Sequence, residues 1–289
     1  MEYLVHVLII FAIYAILAIS LDMIVGYSGI ISFSHAAFYA IGAYVGAICY
    51  LRFELNMIVA MIIAFVITGI VGAISYVLLS RLKEDYLILS FFALHEVIIG
   101  IIHNWQSITN GPAGLFGILR PTFFGYTFVS NISFLVLVTA VLIIVLTILL
   151  LWKRSPWGVM AQGVRDDDLL MSTLGYNVKL IKIINFAIGV GFAGIAGVLY
   201  AHFVGYVSPI AFSIGLAVTV FTFVFIGGPA SLYGPILGTA LMVALPEILR
   251  IIGIPDSYAG HLQQIIYGVL LVLLVFIRPQ GFFGKYKVA

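Results

Sequence analysis

Long apolar runs separated by short polar interruptions set the pattern of this chain. A helix that crosses a bilayer takes about 20 mostly apolar residues. Nine stretches approach that length: 4–25, 30–51, 58–79, 86–102, 132–152, 183–204, 212–227, 232–252 and 262–277. The stretches 86–102 and 212–227 are short, which predicts re-entrant or broken helices there. A tenth element has room at those two places or in the 103–130 segment. The predicted fold is all-α, a polytopic transmembrane helical bundle of eight to ten spans that takes residues 1–289 as one domain.

Composition names the solvent. Hydrophobic residues make up 64% of the chain and charged residues 8%, with mean hydropathy +1.24. A water-facing domain carries roughly 25% charged residues, so lipid is the partner that this surface fits. A net charge of +2, with basic residues scattered through short loops, does not make the clustered basic face that nucleic acid needs. A single cysteine, Cys49, forms no intrachain disulfide. The N-terminal run MEYLVHVLII lacks a basic n-region and a clear cleavage site, which predicts a retained first helix.

Lys and Arg set the expected orientation. With nine spans and the N-terminus outside, ten cations fall in inner segments: Arg81, Lys83, Lys153, Arg154, Arg165, Lys179, Lys182, Arg278, Lys285 and Lys287. Three fall outside, Arg52, Arg120 and Arg250. The C-terminus is then expected in the cytoplasm. Two connections are long, an external loop at 103–130 and an inner segment at 153–182.

The inner segment reads as short helices. Ser155-Pro156 opens an element, because proline suits a first helical turn, and residues 158–164 continue it. Asp166, Asp167 and Asp168 sit where a helix N-terminus favours carboxylates. Leu169, Leu170, Met171 and Leu174 supply an apolar face, and Gly175 fits the residue after the helix end. Such an amphipathic helix can lie on lipid or plug into a groove of another protein.

Glycines recur at four-residue spacing inside spans, as in Gly42/Gly46, Gly189/Ala193/Gly197 and Gly234/Gly238. That spacing lets helix backbones approach closely in lipid. Two other regions, 26–35 and 226–235, are polar and glycine-bearing between apolar runs. Irregular backbone at membrane depth survives only where protein buries it or it lines a cavity. Paired interruptions in two halves point to an internal repeat around a central pathway. Tight turns at the inner face are the plainer reading. Asp22, His35, Glu96 and Glu247 stand out among the ionisable groups within spans, with His95 beside Glu96. Ser32, Ser34, His35 and Glu96 are the candidate pathway residues.

No G-x-x-x-x-G-K-[ST] phosphate loop is present, so ATP hydrolysis by that route is not expected in this chain. H-E-x-x-H, spaced Cys/His sets and a G-x-S-x-G elbow are missing too, so no metal site and no intramembrane enzyme are expected.

Ordered motifs then resemble a family. The run from Gly26 to Tyr44, GYSGIISFSHAAFYAIGAY, closely resembles the first signature of the branched-chain amino acid permeases of bacterial and archaeal ABC importers, with Ser34 at a usual glycine. Gly111 to Leu115 resembles that family's outer glycine loop, with Pro112 departing. Ser155-Pro156-Trp157-Gly158 through Ala161, Arg165-Asp166-Asp167 and Leu174-Gly175-Tyr176-Asn177 resembles its coupling stretch, with Val159 and Met160 departing. Phe192 to Tyr200, Ser208-Pro209 with Phe212-Ser213, Gly227 to Gly238, and Ile266-Tyr267-Gly268 with Arg278 to Gly281 continue the match in order, with Pro229-Ala230 departing. The set spans residues 22–284 and is most similar to the larger of the two permease types in such importers.

The resemblance implies a permease without cofactor of its own, in a prokaryotic cell membrane. It implies a second, homologous permease, two cytoplasmic ATPases that bind the ATP, and an external substrate-binding protein. It places ATPase coupling on Gly158, Ala161, Arg165, Asp166, Asp167, Leu174 and Gly175. Branched-chain amino acids are the implied substrates, with urea, short amides or other amino acids as the alternative. A different class is an ATP-independent secondary transporter or channel, for which the inner segment is incidental. Adjacent genes for an ATPase, a second permease and a secreted binding protein would separate the two.

Overall fold

A computed structural model describes residues 2–123, 126–128, 130–251, 262, 265–270, 272–273, 276 and 280–282. Helices α1 (Glu2–Ser28), α2 (His35–Phe53), α3 (Met57–Leu79) and α4 (Glu84–Asn104) come first, followed by a short α5 (Gln106–Thr109). Then come α6 (Asn131–Arg154), the short α7 (Pro156–Asp166) and α8 (Asp168–Thr173), and the long α9 (Val178–Val204). Helices α10 (Ile214–Gly227) and α11 (Gly234–Ile251) follow. Among the described residues, strands are confined to four two-residue pieces, β1 (Leu115–Phe116), β2 (Thr122–Phe123), β3 (Tyr126–Thr127) and β4 (Tyr206–Val207). They pair antiparallel as β1 with β4 and β2 with β3.

Among the described residues, seven helices are long and apolar enough to cross a membrane. They make the all-α polytopic bundle that the hydropathy pattern predicts. The most apolar windows of α1, α2 and α9 are 61%, 61% and 67% buried, against 28%, 22% and 22% in α3, α4 and α6. The first three therefore form the centre, and the others line the outside. Backbones in the centre touch because side chains are missing at the crossings. A Cβ on Gly42 would meet the Gly194 backbone, and one on Gly197 would meet the Tyr39 carbonyl and the Ala43 nitrogen. A Cβ on Gly238 would likewise strike the Phe223 carbonyl, which ties α11 to α10. These contacts are van der Waals packing of the kind that joins helices in lipid.

The predicted spans are corrected in detail. The second begins at His35 and not at residue 30, because 30–34 are not helical. The fourth is not short: α4 has 21 residues, since polar Lys83–Asp85 and His103–Asn104 flank an apolar middle that hydropathy alone registers. The seventh is short as a regular helix, 14 residues, and a 3₁₀ turn at Pro209–Phe212 extends it. The sixth begins five residues early, at Val178, so Lys179 and Lys182 belong to α9. Between 103 and 130 the described residues hold α5, a 3₁₀ turn and β1–β3, and no further span. The eighth predicted span is α11, which carries Pro246, Glu247 and Arg250 near its end. In the ninth, residues 262, 265–270, 272–273 and 276 are helical and the others lie outside the described residues, as do Arg278, Lys285 and Lys287.

Candidate functional site

Chemistry-bearing residues converge at one end of the bundle, the end that carries Lys153, Arg165 and Lys182. Three pieces meet there: the segment between α1 and α2, the segment between α10 and α11, and the pair α7–α8.

The first piece folds back into the bundle. Helix α1 ends at Ser28, and Gly29 turns the chain with φ +69°, a conformation that side-chain-bearing residues rarely adopt. The Ile30 N–H donates to the Ile24 carbonyl at 3.2 Å, so the chain reverses along α1. Residues 30–34 then run inward without helix. Helix α2 starts beside Ser20, whose Oγ lies 2.8 Å from His35 Nε2. Ser20 is two turns above the end of α1, which is about 12 Å of depth at 1.5 Å per residue. Ser32 Oγ and Ser34 Oγ share a hydrogen bond at 2.9 Å. Ser32, Ser34 and His35 are all at most 1% exposed. Three of the four predicted pathway residues thus come together on a buried, re-entrant segment. The fourth does not: Glu96 lies on an exposed face of α4 while His95 beside it is buried.

The second irregular piece, residues 228–233, packs onto the first. Asp22, fully buried in α1, accepts the Ala230 N–H at 2.8 Å. Tyr27 donates its hydroxyl to the Ala230 carbonyl at 3.1 Å. A Cβ on Gly26 would collide with the Ala230 nitrogen, so this crossing requires glycine. The Phe282 N–H closes the far side on the Ile226 carbonyl at 3.0 Å. The two regions that the sequence marks as interruptions are therefore in direct contact. Asp22 is a residue that sequence reasoning left out of the site. Its signal was a carboxylate inside an apolar span; its pairing with Ala230, 208 residues away, had none.

The third piece is α7–α8. Ser155 Oγ caps α7 by accepting the Gly158 N–H at 3.3 Å, and Pro156 occupies the first turn. Gly158 has no room for a side chain against the Trp152 carbonyl. Ala161 and Val164 are buried with Ile181 of α9. Arg165 at the end of α7 is 9% exposed in its side chain. It donates from Nη1 to the Gly26 carbonyl at 2.7 Å, and from Nε and Nη2 to Asp166 Oδ1 at 2.9 and 2.7 Å. One guanidinium thus joins α7 to the end of α1, one turn from Asp22 and Ala230.

The three aspartates do not open one helix together. Asp166 closes α7, Asp167 has extended backbone and caps α8 by accepting the Leu170 N–H at 2.8 Å, and Asp168 pairs with Lys182 at 3.2 Å. Gly175 takes φ +87° after α8, and the Tyr176 N–H reaches back to the Met171 carbonyl at 3.1 Å. This is the predicted glycine C-terminal stop. None of the six residues of α8 is buried. Leu169, Leu170, Leu174 and Tyr176 form an exposed apolar knob beside the aspartates. The predicted coupling residues therefore split. Gly158, Ala161 and Arg165 anchor α7 within the bundle, whereas Asp166, Asp167, Leu174 and Gly175 are presented outward.

Among the described residues, no group of three or more His, Cys, Asp or Glu gathers in a way that would hold a metal ion.

A family described as "Branched-chain amino acid transport system / permease component" matches residues 3–275. The high-affinity branched-chain amino acid transport system permease protein LivM of Escherichia coli K12 is 31% identical, over 93% of this chain and 67% of that protein. A probable LivM permease of Methanocaldococcus jannaschii is 26% identical, over 95% of this chain and 91% of its own length. LivH of Escherichia coli K12, a permease protein of a high-affinity branched-chain amino acid transport system, is 25% identical, over 95% and 92%. No solved structure matches the chain.

Proposed function

Because the chain belongs to the branched-chain amino acid permease family, we propose that it is a permease subunit of an ATP-driven importer. It moves branched-chain amino acids into the cytoplasm by alternating access. It works with a second, homologous permease, as the likeness to both LivM and LivH relatives supports. Two cytoplasmic ATPases supply the ATP hydrolysis for which this chain has no phosphate loop, and an external binding protein delivers the substrate. The basic end faces the cytoplasm.

The observation that carries this reading is the outward knob of α8 joined to a buried lever. Leu169, Leu170, Leu174 and Tyr176 offer apolar surface that lies off the spans and suits a groove on another protein. Behind them, Arg165 holds the Gly26 carbonyl, and Asp22 one turn away holds Ala230. A displacement of α7–α8 by a docked ATPase is passed to both irregular segments through these bonds. The nucleotide states of the ATPase must bind the knob differently for the transporter to be driven.

The test is purification of the tagged chain from native membranes, with leucine, isoleucine, valine and urea uptake by the recovered complex. An ATPase and a second permease are expected to accompany the wild type, with ATP-dependent uptake of the branched-chain amino acids. Leu169→Glu with Leu174→Glu is expected to lose the ATPase and the uptake while the folded amount stays constant. Arg165→Met is expected to keep the ATPase and its hydrolysis but lose uptake by roughly tenfold or more, as expected for a lost charge-assisted hydrogen bond. Recovery of the chain alone, with uptake that persists without ATP, would overturn the reading in favour of a secondary carrier.

A further inference from the structure

Glu96 occupies the middle of α4, about 18 Å from the start of the helix and about 12 Å from its end at 1.5 Å per residue. Its side chain is exposed, and no hydrogen bond or ion pair reaches it among the described residues. The other charged groups of the described spans are placed differently. Asp22 is buried and hydrogen-bonded to Ala230. Glu247 sits near the end of α11 and accepts from the Tyr3 hydroxyl at 2.6 Å. Arg52, Lys153, Arg154, Lys179, Lys182 and Arg250 lie at helix ends. An ionised carboxylate costs several kcal/mol against hydrocarbon and faces water or protein instead. The α4 face around Glu96 is therefore not a lipid face.

The surroundings of this carboxylate narrow its partner. Ala93, one turn before it, is small and exposed. At Gly100, one turn after it, an added Cβ would meet nothing within 4 Å. The carboxylate thus stands on an open face of α4 with small residues one turn to either side. Leu89, Phe92 and Val97 are exposed beside it on the same helix, so its neighbours are apolar. One anionic group among apolar side chains complements a small cation that carries an aliphatic body.

We propose that the Glu96 face of α4 lines the translocation pathway, and that the Glu96 carboxylate receives the ammonium group of an aliphatic amino acid there. This rests on the importer reading. Leucine uptake by the wild-type complex checks that reading separately, whatever Glu96 does.

The experiment uses the assembled importer in proteoliposomes, with Cys49→Ala to remove the chain's one cysteine. Glu96→Cys is labelled with a water-soluble, membrane-impermeant methanethiosulfonate, beside Ile62→Cys on the outer face of α3 as the lipid-facing reference. The thiol of Glu96→Cys is expected to react from water, and more slowly in the presence of leucine-loaded binding protein and ATP. The thiol of Ile62→Cys is expected to react only with a membrane-soluble maleimide. In the parallel uptake assay, Glu96→Gln is expected to lose leucine uptake by roughly tenfold or more with ATPase binding unchanged. Glu96→Asp is expected to retain more uptake than Glu96→Gln, because a charge contact follows the carboxylate and a packing contact follows the shape. A Glu96→Cys variant that labels like Ile62→Cys would overturn the pathway assignment. Glu96→Gln uptake equal to or above that of Glu96→Asp would overturn the ammonium contact.

Discussion

At the residue scale, Asp22 gives the most direct account of how a polar group is tolerated at the core. Its Oδ1 accepts the Ala230 N–H, which would otherwise be a buried donor on an irregular segment. Leaving such a donor unpaired costs about 1–3 kcal/mol. Asp22→Asn keeps an acceptor oxygen in place, whereas Asp22→Leu removes it. The expected order of thermal stability in detergent, followed by size-exclusion of heated samples, is wild type close to Asp22→Asn and both above Asp22→Leu. A leucine variant as stable as the wild type would show that the bond does not hold the two segments. Sequence marked Ser32, Ser34 and His35 because polar residues between apolar runs are conspicuous, and the structure gathers them. It grouped Glu96 with them on charge alone, and the structure separates the two by burial. Apolar periodicity in α4 does not reveal which flank of the helix faces inward, so the sequence singles out Glu96 while the packing buries His95 beside it.

Elements were legible where their signal is periodic and local. The spacing of Gly189, Ala193 and Gly197 implied close helix contact, and the α2–α9 crossing realises it at Gly42, Gly194 and Gly197. There the obstacles to a side chain at Gly197 are backbone atoms of Tyr39 and Ala43, which cannot rotate aside. Gly197→Leu is therefore expected to push α2 from α9 and to reduce the folded, monodisperse protein in the membrane, not merely the transport rate. A normal yield with impaired uptake would place Gly197 in the transport machinery instead. Elements were illegible where competing local choices are equivalent. Any of Asp166, Asp167 and Asp168 can cap a helix, and only the backbone decides; Asp167 has φ −159° and takes the role. Residues 30–34 are apolar enough to extend a span, yet the reversal at Gly29 and the Ser20–His35 bond make them a re-entrant strand of chain.

On the scale of the whole molecule, the bundle sorts its cations between two ends. Arg165 touches the end of α1, Lys182 pairs with Asp168, and Lys153 lies over the Tyr27 ring 5.1 Å from its centre. At the opposite end Arg52 donates to the Ser107 carbonyl at 2.6 Å, Arg120 to Asn131 Oδ1 at 2.5 Å, and Arg250 lies over the Tyr3 ring. Among the described residues, the eight long helices α1–α4, α6 and α9–α11 alternate in direction between these two ends. The excess of Lys and Arg at the α7–α8 end is what supports its proposed placement in the cytoplasm. Single cysteines in the Cys49→Ala chain separate the two orientations. Leu169 on α8 and Leu119 in the opposite loop are both well exposed, so either cysteine is open to reagent. An impermeant maleimide is expected to label Leu169→Cys only in inverted vesicles and Leu119→Cys only in right-side-out vesicles. The reverse pattern would place the α8 knob outside the cell, away from ATP. It would then remove the physical basis for coupling through Arg165 even if the permease family assignment stands.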